Sequence, residues 1–280
     1  RSTYRCFTLS STFLALYPTK RVACPNISNQ MLILSVMRKE QPDVLHCTLD
    51  GITPFFIHAA KLLAVPVVGS IHTDIERLLQ ELDAWNFVGV MTTVKERLES
   101  NLLDSCATTS PSFQNKLERR GVHCDHIIKT GVQVDIFTPQ AGNAAELRHR
   151  LTLGNPDGLL VVYVGRFGPE KRLEKLVEMC GSVDGVFLAL VGDGPVAPFL
   201  LERHGSWTNR GARKTSGGIY CRPAFLPHDE LAPVYAAADV HVSCSQFETL
   251  GNTVLEAHAC STTVVLPRTQ GFVDTVDHQV

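Results

Sequence analysis

Apolar positions along the chain gather in short dense runs separated by helical spacing. DVLHCT (43–48) and VPVVGSIHT (65–73) each read as a strand that runs out into polar residues. Helical spacing between them spans 51–63. A further helix is expected over 85–103, with 96–100 on its exposed face. A strand follows over 105–109, then a helix from Pro111 to Arg120 stopped by Gly121, then a strand over 127–129. The first 40 residues show no usable pattern. Alternation restarts at LLVVYVG (159–165) and continues with a helix over 171–180, VFLALVG (186–192) and a helix over 197–203. GIYCRPAF (218–225) reads as a strand, HDELAPVYAAA (228–238) as a helix and DVHVSCS (239–245) as a strand. A last strand is expected over 263–266. Two such series predict an α/β fold of two doubly wound units, each a parallel sheet with helices on both faces. The stretch 131–158 breaks the rhythm with a helix at Ala144–Leu151 and the turn cluster Gly154-Asn155-Pro156-Asp157-Gly158. The domain boundary is placed there, giving 1–155 and 156–280.

Composition narrows the class. With 280 residues, 44% hydrophobic and 19% charged, the chain has room for two modest domains. A net charge of −2, with no basic run interleaved with aromatics, argues against a nucleic-acid partner. The Gly-, Arg-, Lys- and Ser-rich stretch 205–218 reads as a solvated loop. Nine cysteines are dispersed without a Cys-x-x-Cys pair, as expected of reduced thiols in an intracellular protein. The chain begins at Arg1 and ends in DTVDHQV, which reads as an unfinished unit, so a fragment is expected at both ends.

Candidate chemistry collects after the strands of the second half, where ligands of doubly wound sheets bind. VGRFGPEKR places Arg166 and Lys171 five positions apart. LVGDGP, AFLPHDEL and SQFETLGN follow the later strands. Glu248 and Glu256 lie eight apart, across a turn from strand to a helix starting near Gly251. Such a helix tip offers free N–H groups and a positive dipole end to an anion. A phosphate on that tip would leave the Glu256 carboxylate near ribose hydroxyls. A leaving diphosphate can be neutralised by a divalent ion or by Arg, Lys and helix N–H groups. No Asp-x-Asp motif occurs, so the expectation is no metal, with Arg166, Lys171 and the Thr249–Gly251 backbone as the neutralising set. Neither a G-x-G-x-x-G nor a P-loop motif is present, which disfavours dehydrogenases and P-loop NTPases. Taken singly, Arg166 and Lys171 read as surface residues at a helix start. Glu248 would be a cap, and Glu256 an exposed helix carboxylate. It is their order across four strand-end loops that joins them.

As an ordered set, VGRFGPEKRLEKL, LVGDGP, FLPHDELAPVYAAADV and FETLGNTVLEAHAC resemble the retaining GT-B glycosyltransferases with an E-x7-E motif (GT4-like, glycosyl transferases group 1). PDVLHC, AKLLAVPVVGSIHTD and GVQVDIFTP resemble that family's amino-terminal domain, so the likeness covers about residues 42–276. Within the family, AKLLAVPVVGSIHT and ETLGNTVLEA are most similar to the sulfoquinovosyltransferase and α-mannosyltransferase branches.

The resemblance implies two Rossmann-like domains facing a cleft, truncated at both ends: an acceptor-side domain (1–155) and a nucleotide-sugar-binding domain (156–280). It implies that Arg166, Lys171 and the backbone of Thr249, Leu250 and Gly251 meet the donor diphosphate or sugar. Glu256 would hold the ribose, Leu226 would contact the base, and Glu248 would lie by the anomeric centre. His72 would face the donor sugar from the first domain. Transfer would proceed with retention by front-face displacement, without metal, cofactor or protein nucleophile. The implied partners are a UDP- or GDP-sugar donor, a sugar or lipid acceptor such as diacylglycerol, and a peripheral membrane contact. An intracellular setting is implied, membrane-associated or plastid for the sulfoquinovosyl branch. Departures from the family pattern are Ser261-Thr262-Thr263 in place of Gly-x-Pro, Gln133 where Asp follows Gly-Val, and the lack of a Gly-rich first-strand loop and of a crossing carboxy-terminal helix. The expectation is therefore an active full-length enzyme and a weakly active 280-residue piece. The alternative is a catalytically silent nucleotide-sugar-binding or scaffold protein of the same fold.

Overall fold

The computed structural model describes residues 5–14, 17–49, 52–76, 86–204 and 217–277. Two compact units part between Ile128 and Lys129. The Gly-Asn-Pro-Asp-Gly turn lies later, inside the second unit.

The first unit opens with an antiparallel hairpin, β1 (Ser11–Leu14) and β2 (Tyr17–Ala23), followed by α1 (Ile27–Glu40). Its parallel sheet is ordered β3 (Leu45–Thr48), β4 (Val67–Ile71), β5 (Ser105–Thr108), β6 (His126–Ile127). Helices α2 (Thr53–Leu62), α3 (Asn86–Ser100) and α4 (Pro111–Arg119) connect the strands. The core joins Ile33, Leu34 and Met37 of α1 to Ile57, Ala60 and Val67. A second cluster joins Ile71, Cys106, Phe113 and Leu117. The α1 helix escaped the sequence pattern for a physical reason. It is capped by the Asn26 side chain on the Asn29 N–H (2.8 Å), yet Ile27 and Met31 stand 81% and 58% exposed. Apolar residues on both faces leave no single stripe to detect. The expected exposed face at 96–100 is corrected. Glu96, Glu99 and Ser100 are buried; Lys95 meets Glu99 at 2.7 Å, and Arg120 offsets only part of what burial costs the Glu96 carboxylate. Trp85, the start of that expected helix, lies outside the described residues, as do Gly51 and residues 205–216 of the expected solvated loop.

The second unit has a five-stranded parallel sheet. Its order is β11 (Thr263–Val265), β10 (Val240–Val242), β7 (Leu159–Val164), β8 (Val186–Gly192), β9 (Gly218–Pro223). The helices are α5 (Ala144–Leu151), α6 (Leu173–Gly181), α7 (Ala197–His204), α8 (His228–Ala237), α9 (Asn252–Ala259) and α10 (Gln270–Thr275). Alternate residues of β7 and β8 enter two cores, Leu160, Val162 and Phe187 on one face and Val161, Tyr163 and Leu188 on the other. Burial on both faces is why these strands read as continuous apolar runs. Phe137, Ala141 and Leu151 are buried in the first of these cores, and Arg148 Nη1 donates to Asp239 Oδ2 at 2.8 Å. Residues 129–158 therefore pack with the second unit. The helix expected from Lys171 starts later. Pro169–Lys171 form a 3-10 turn, Arg172 takes φ 53°, and α6 begins at Leu173. The α10 helix, beyond the last expected strand, was not anticipated. Among the described residues, no helix is long and apolar enough to cross a membrane.

Candidate functional site

Strand order reverses at β7. The chain leaves β7 for β8 and β9 on one side, then returns to lay β10 on the other. Crevices at such switch points are where doubly wound sheets take ligands. The loops after β7 and β10 emerge side by side there, and they carry the residues singled out from sequence.

The β7 loop is braced by its neighbour after β8. Phe167 N–H donates to the Asp193 carbonyl at 2.9 Å. A Cβ at Gly192 would sit 1.8 Å from the Gly165 carbonyl, so the two loops can touch only because residue 192 lacks one. Within the loop, Arg166 donates from Nη2 and Nε to Glu170 Oε1 at 2.6 and 3.1 Å. The Glu170 side chain is fully buried, and among the described residues its Oε2 has no hydrogen-bond partner. Gly168 makes room for it, since a Cβ there would fall 2.1 Å from that oxygen. The Tyr163 hydroxyl donates to the Arg166 carbonyl at 2.9 Å and fixes the backbone.

Lys171 crosses to the second loop. Its Nζ donates to Glu248 Oε2 at 2.9 Å and lies 3.5 Å from Ser245 Oγ. Ser245 is buried and held by its own bond to the Phe247 carbonyl, 2.8 Å. The Glu248 Oε1 accepts from Thr249 N–H at 3.2 Å. The α10 helix supports this loop from outside: Gly271 N–H donates to the Glu248 carbonyl at 2.9 Å, and the Thr275 hydroxyl bonds the Gly271 carbonyl at 2.7 Å and also that of Leu250. The N-cap of α9 is Gly251, which brings no side-chain acceptor. The first turn of α9 thus carries no side-chain cap, and its N–H groups form the positive end of the helix dipole.

Glu256 lies one turn into α9. Its Oε2 accepts from the Tyr235 hydroxyl at 2.8 Å. Burial raises its carboxyl pKa, while the Tyr235 hydrogen bond and His228 oppose that rise. Two buried phenols show how close the groups stand. Tyr163 is pushed well above its usual pKa by burial and by the charges of Glu248 and Glu170, with Arg166 opposing. Tyr235 is pushed up by burial, by Glu256 and by Tyr163.

Arg166, Lys171, Glu248 and the Thr249-Leu250-Gly251 backbone are thus brought together, with Glu256 on the adjoining helix. Leu226 is half-buried after β9 and lines a cavity of about 270 Å³ with Arg150, Arg222 and Pro233. That lining includes none of the four charged residues. His72 belongs to the first unit, just past β4. Its Nε2 meets Ser70 Oγ at 2.9 Å, a hydroxyl shared with His46 Nε2 at 2.9 Å. Burial and then His46 lower its pKa, which favours the neutral ring. Sequence reasoning missed Glu170, Tyr235 and Ser245. The i, i+4 spacing of Arg166 and Glu170 was a usable signal. Nothing local marked Ser245 or Tyr235, whose partners lie 74 and 21 positions away.

The chain is similar to known proteins in sequence and in fold. Residues 158–280 match the model of the glycosyl transferases group 1 family. Over 248 residues the chain is 31% identical to sulfoquinovosyl transferase SQD2 of Arabidopsis thaliana, covering 87% of this chain and 46% of that protein. It is 29% identical to a GDP-mannose-dependent alpha-mannosyltransferase of Mycobacterium tuberculosis, covering 87% of this chain and 60% of that one. The chain thus spans about half the length of the curated relatives it matches. Among solved structures, Anabaena Alr3699/HepE in complex with UDP and glucose superposes with a TM-score of 0.68 at 19% identity, over 89% of this chain and 65% of that one. Sucrose-phosphate synthase of Thermosynechococcus elongatus superposes at 0.67 with 22% identity, over 92% and 65%. The fold is that of the GT-B glycosyltransferases, an α/β architecture with two parallel sheets.

Proposed function

From the premise that residues 158–280 are a glycosyl transferases group 1 domain, we propose that the whole protein is a retaining, metal-independent glycosyltransferase. It moves a sugar from a nucleoside-diphosphate donor, UDP- or GDP-linked, to a hydroxyl of a sugar or lipid acceptor such as diacylglycerol. The first unit would serve the acceptor, and the second, which includes residues 129–158, the donor. The observation that carries the reading is the Lys171–Glu248 pair, 2.9 Å across the switch point beside the uncapped tip of α9. In sequence these residues are 77 positions apart.

In this reading Arg166, Lys171 and the N–H groups of Leu250 and Gly251 take the two phosphates. Their positions are set in advance by Glu170, Ser245 and Glu248, so little reorganisation accompanies charge build-up on the leaving diphosphate. Each charge-assisted contact contributes on the order of 1.5–3 kcal/mol. Glu256 accepts from the ribose, Leu226 contacts the base, and Glu248 lies near the anomeric carbon. His72, its neutral form favoured, can accept or donate at the sugar. With no nucleophile assigned, departure of the diphosphate and attack by the acceptor share one face, which retains configuration. A UDP-linked donor is supported by the UDP-bound neighbour, and a GDP-linked or sulfosugar donor by the two curated relatives.

The test is an assay of a chain extended at both ends, with UDP- and GDP-sugars, a lipid acceptor and EDTA. Product with retained anomeric configuration by NMR, formed at an undiminished rate in EDTA, is expected. An inverted product refutes the retaining mechanism, and a rate abolished by EDTA and restored by a divalent ion refutes metal independence.

A further inference from the structure

We propose that Tyr235 is a positioning residue for the donor: by holding one oxygen of Glu256, it leaves the other as a single oriented acceptor for a ribose hydroxyl. This rests on the reading of Glu256 as the ribose-binding residue and adds how that carboxylate is set.

The geometry points to it from several sides. Tyr235 is completely buried on α8, and a buried phenol needs a hydrogen-bond partner. Its partner is Glu256 Oε2 at 2.8 Å. The ring is clamped edge-on by Phe137 (6.0 Å, 62°) and by His241 (5.5 Å, 76°). Its carbonyl accepts from Thr262 Oγ1 at 2.7 Å, which ties α8 to the segment after α9. The hydroxyl therefore cannot swing away from Glu256. Among the described residues, Glu256 Oε1 has no hydrogen-bond donor, and Glu256 is half-buried. One oxygen is fixed and the other is open.

The same bond governs ionisation. The groups that face the carboxyl are Tyr235 and His228 from α8, and Cys260 next along the chain from α9. Burial favours the protonated acid, and Tyr235 is the larger of the two influences that oppose it. A protonated Glu256 can no longer accept at both oxygens. Loss of the phenol O–H should therefore raise the pH below which ribose binding fails.

The experiment titrates UDP, GDP and their 2′-deoxy and 3′-deoxy analogues into the 280-residue chain by calorimetry from pH 5 to pH 8. Tyr235→Phe, Glu256→Ala and Glu256→Gln are compared with the parent. In Tyr235→Phe, ribonucleotide affinity near pH 5.5 is expected to fall about three- to tenfold, in keeping with one hydrogen bond to a charged group. The ribo-to-deoxy ratio shrinks and the pH midpoint of binding moves upward, changes that a merely structural role would not produce. Glu256→Gln is a second arm that leaves Tyr235 in place. Its amide cannot ionise, so adding Tyr235→Phe to it should leave the pH midpoint of binding where Glu256→Gln alone puts it. The proposal is overturned if Glu256→Ala removes ribo preference while Tyr235→Phe keeps the parental ratio and midpoint, or if Tyr235→Phe still moves the midpoint in the Glu256→Gln background. Should Glu256→Ala itself keep full ribo preference, the ribose reading fails and this inference falls with it.

Discussion

Each unit sets a carboxylate among cations just past the carboxyl end of a central parallel strand, but the cations are used differently. In the first unit, buried Asp74 receives Lys116 and Arg120 Nη1 (3.1 Å), both from α4 and the residue that caps it. Arg120 also reaches Glu76 at 3.0 Å, and Glu96 is buried nearby. Asp74 at its centre is shut off from solvent. In the second unit, Lys171 and Glu248 come from two different loops and remain 14% and 27% exposed, beside helix N–H groups that lack a cap. Pairs shut off from solvent serve stability, whereas pairs held at an open crevice can serve a ligand. The contrast yields predictions that separate the two roles.

The largest effect is expected for Lys171→Ala in an active, extended chain. Transfer should fall at least about a hundredfold, since one pre-set charge contact to the leaving group is removed. The melting temperature of the second unit should move little, because Glu248 keeps its access to solvent. A matching loss of stability would erase the distinction. Asp74→Asn should do the reverse. Burial alone would raise the Asp74 pKa, but Lys116 and Arg120 outweigh it and the net shift is downward. Its stabilisation is thus present above the unfolded pKa and lost as pH falls through the folded one. Removing the charge should cost about 2–4 kcal/mol in denaturant unfolding, with nucleotide affinity unchanged.

Two buried groups give the units opposite pH slopes. His241, completely buried, is lowered to about 4 by burial, outweighing the backbone of Val162. An unfolded His takes its proton near 6.5, so the second unit loses stability as pH falls from about 6.5 to about 4, by roughly 3 kcal/mol at the limit. His241→Phe should flatten that slope. Glu96 is raised to about 7 by burial, against the pull of Arg120 and Lys95. Its native state stays protonated after the unfolded acid has ionised, so the first unit loses stability as pH rises from about 4.5 to about 7. Glu96→Gln should recover about 2–3 kcal/mol at pH 8. Urea unfolding from pH 4 to pH 8, followed in each unit separately, checks both, and parallel slopes would contradict the assignment.

What the sequence disclosed follows the same division. The strands of the second unit were legible because both their faces are buried, so burial wrote itself as Leu160–Val164 and Val186–Val191. Arg166, Lys171, Glu248 and Glu256 stood out as charges at strand ends, where a bland loop would carry none in that order. The α1 helix stayed hidden because exposed Ile27 and Met31 break the stripe. Burial of Glu96 could not be read from α3, since the charge of Arg120 beside it comes from a later element. Tyr235 and Ser245 were equally silent, being ordinary core residues until the fold brings Glu256 and Lys171 to them.

The central claim is that Lys171 and the tip of α9 grip a pair of phosphates without help from an ion. It is tested most directly by calorimetric titration of UDP and GDP into this chain in EDTA, with Lys171→Ala alongside. Binding by at least one nucleotide in EDTA, weakened about tenfold or more by the substitution, is the predicted result. Binding that appears only with added divalent metal, or that is indifferent to Lys171, would contradict it.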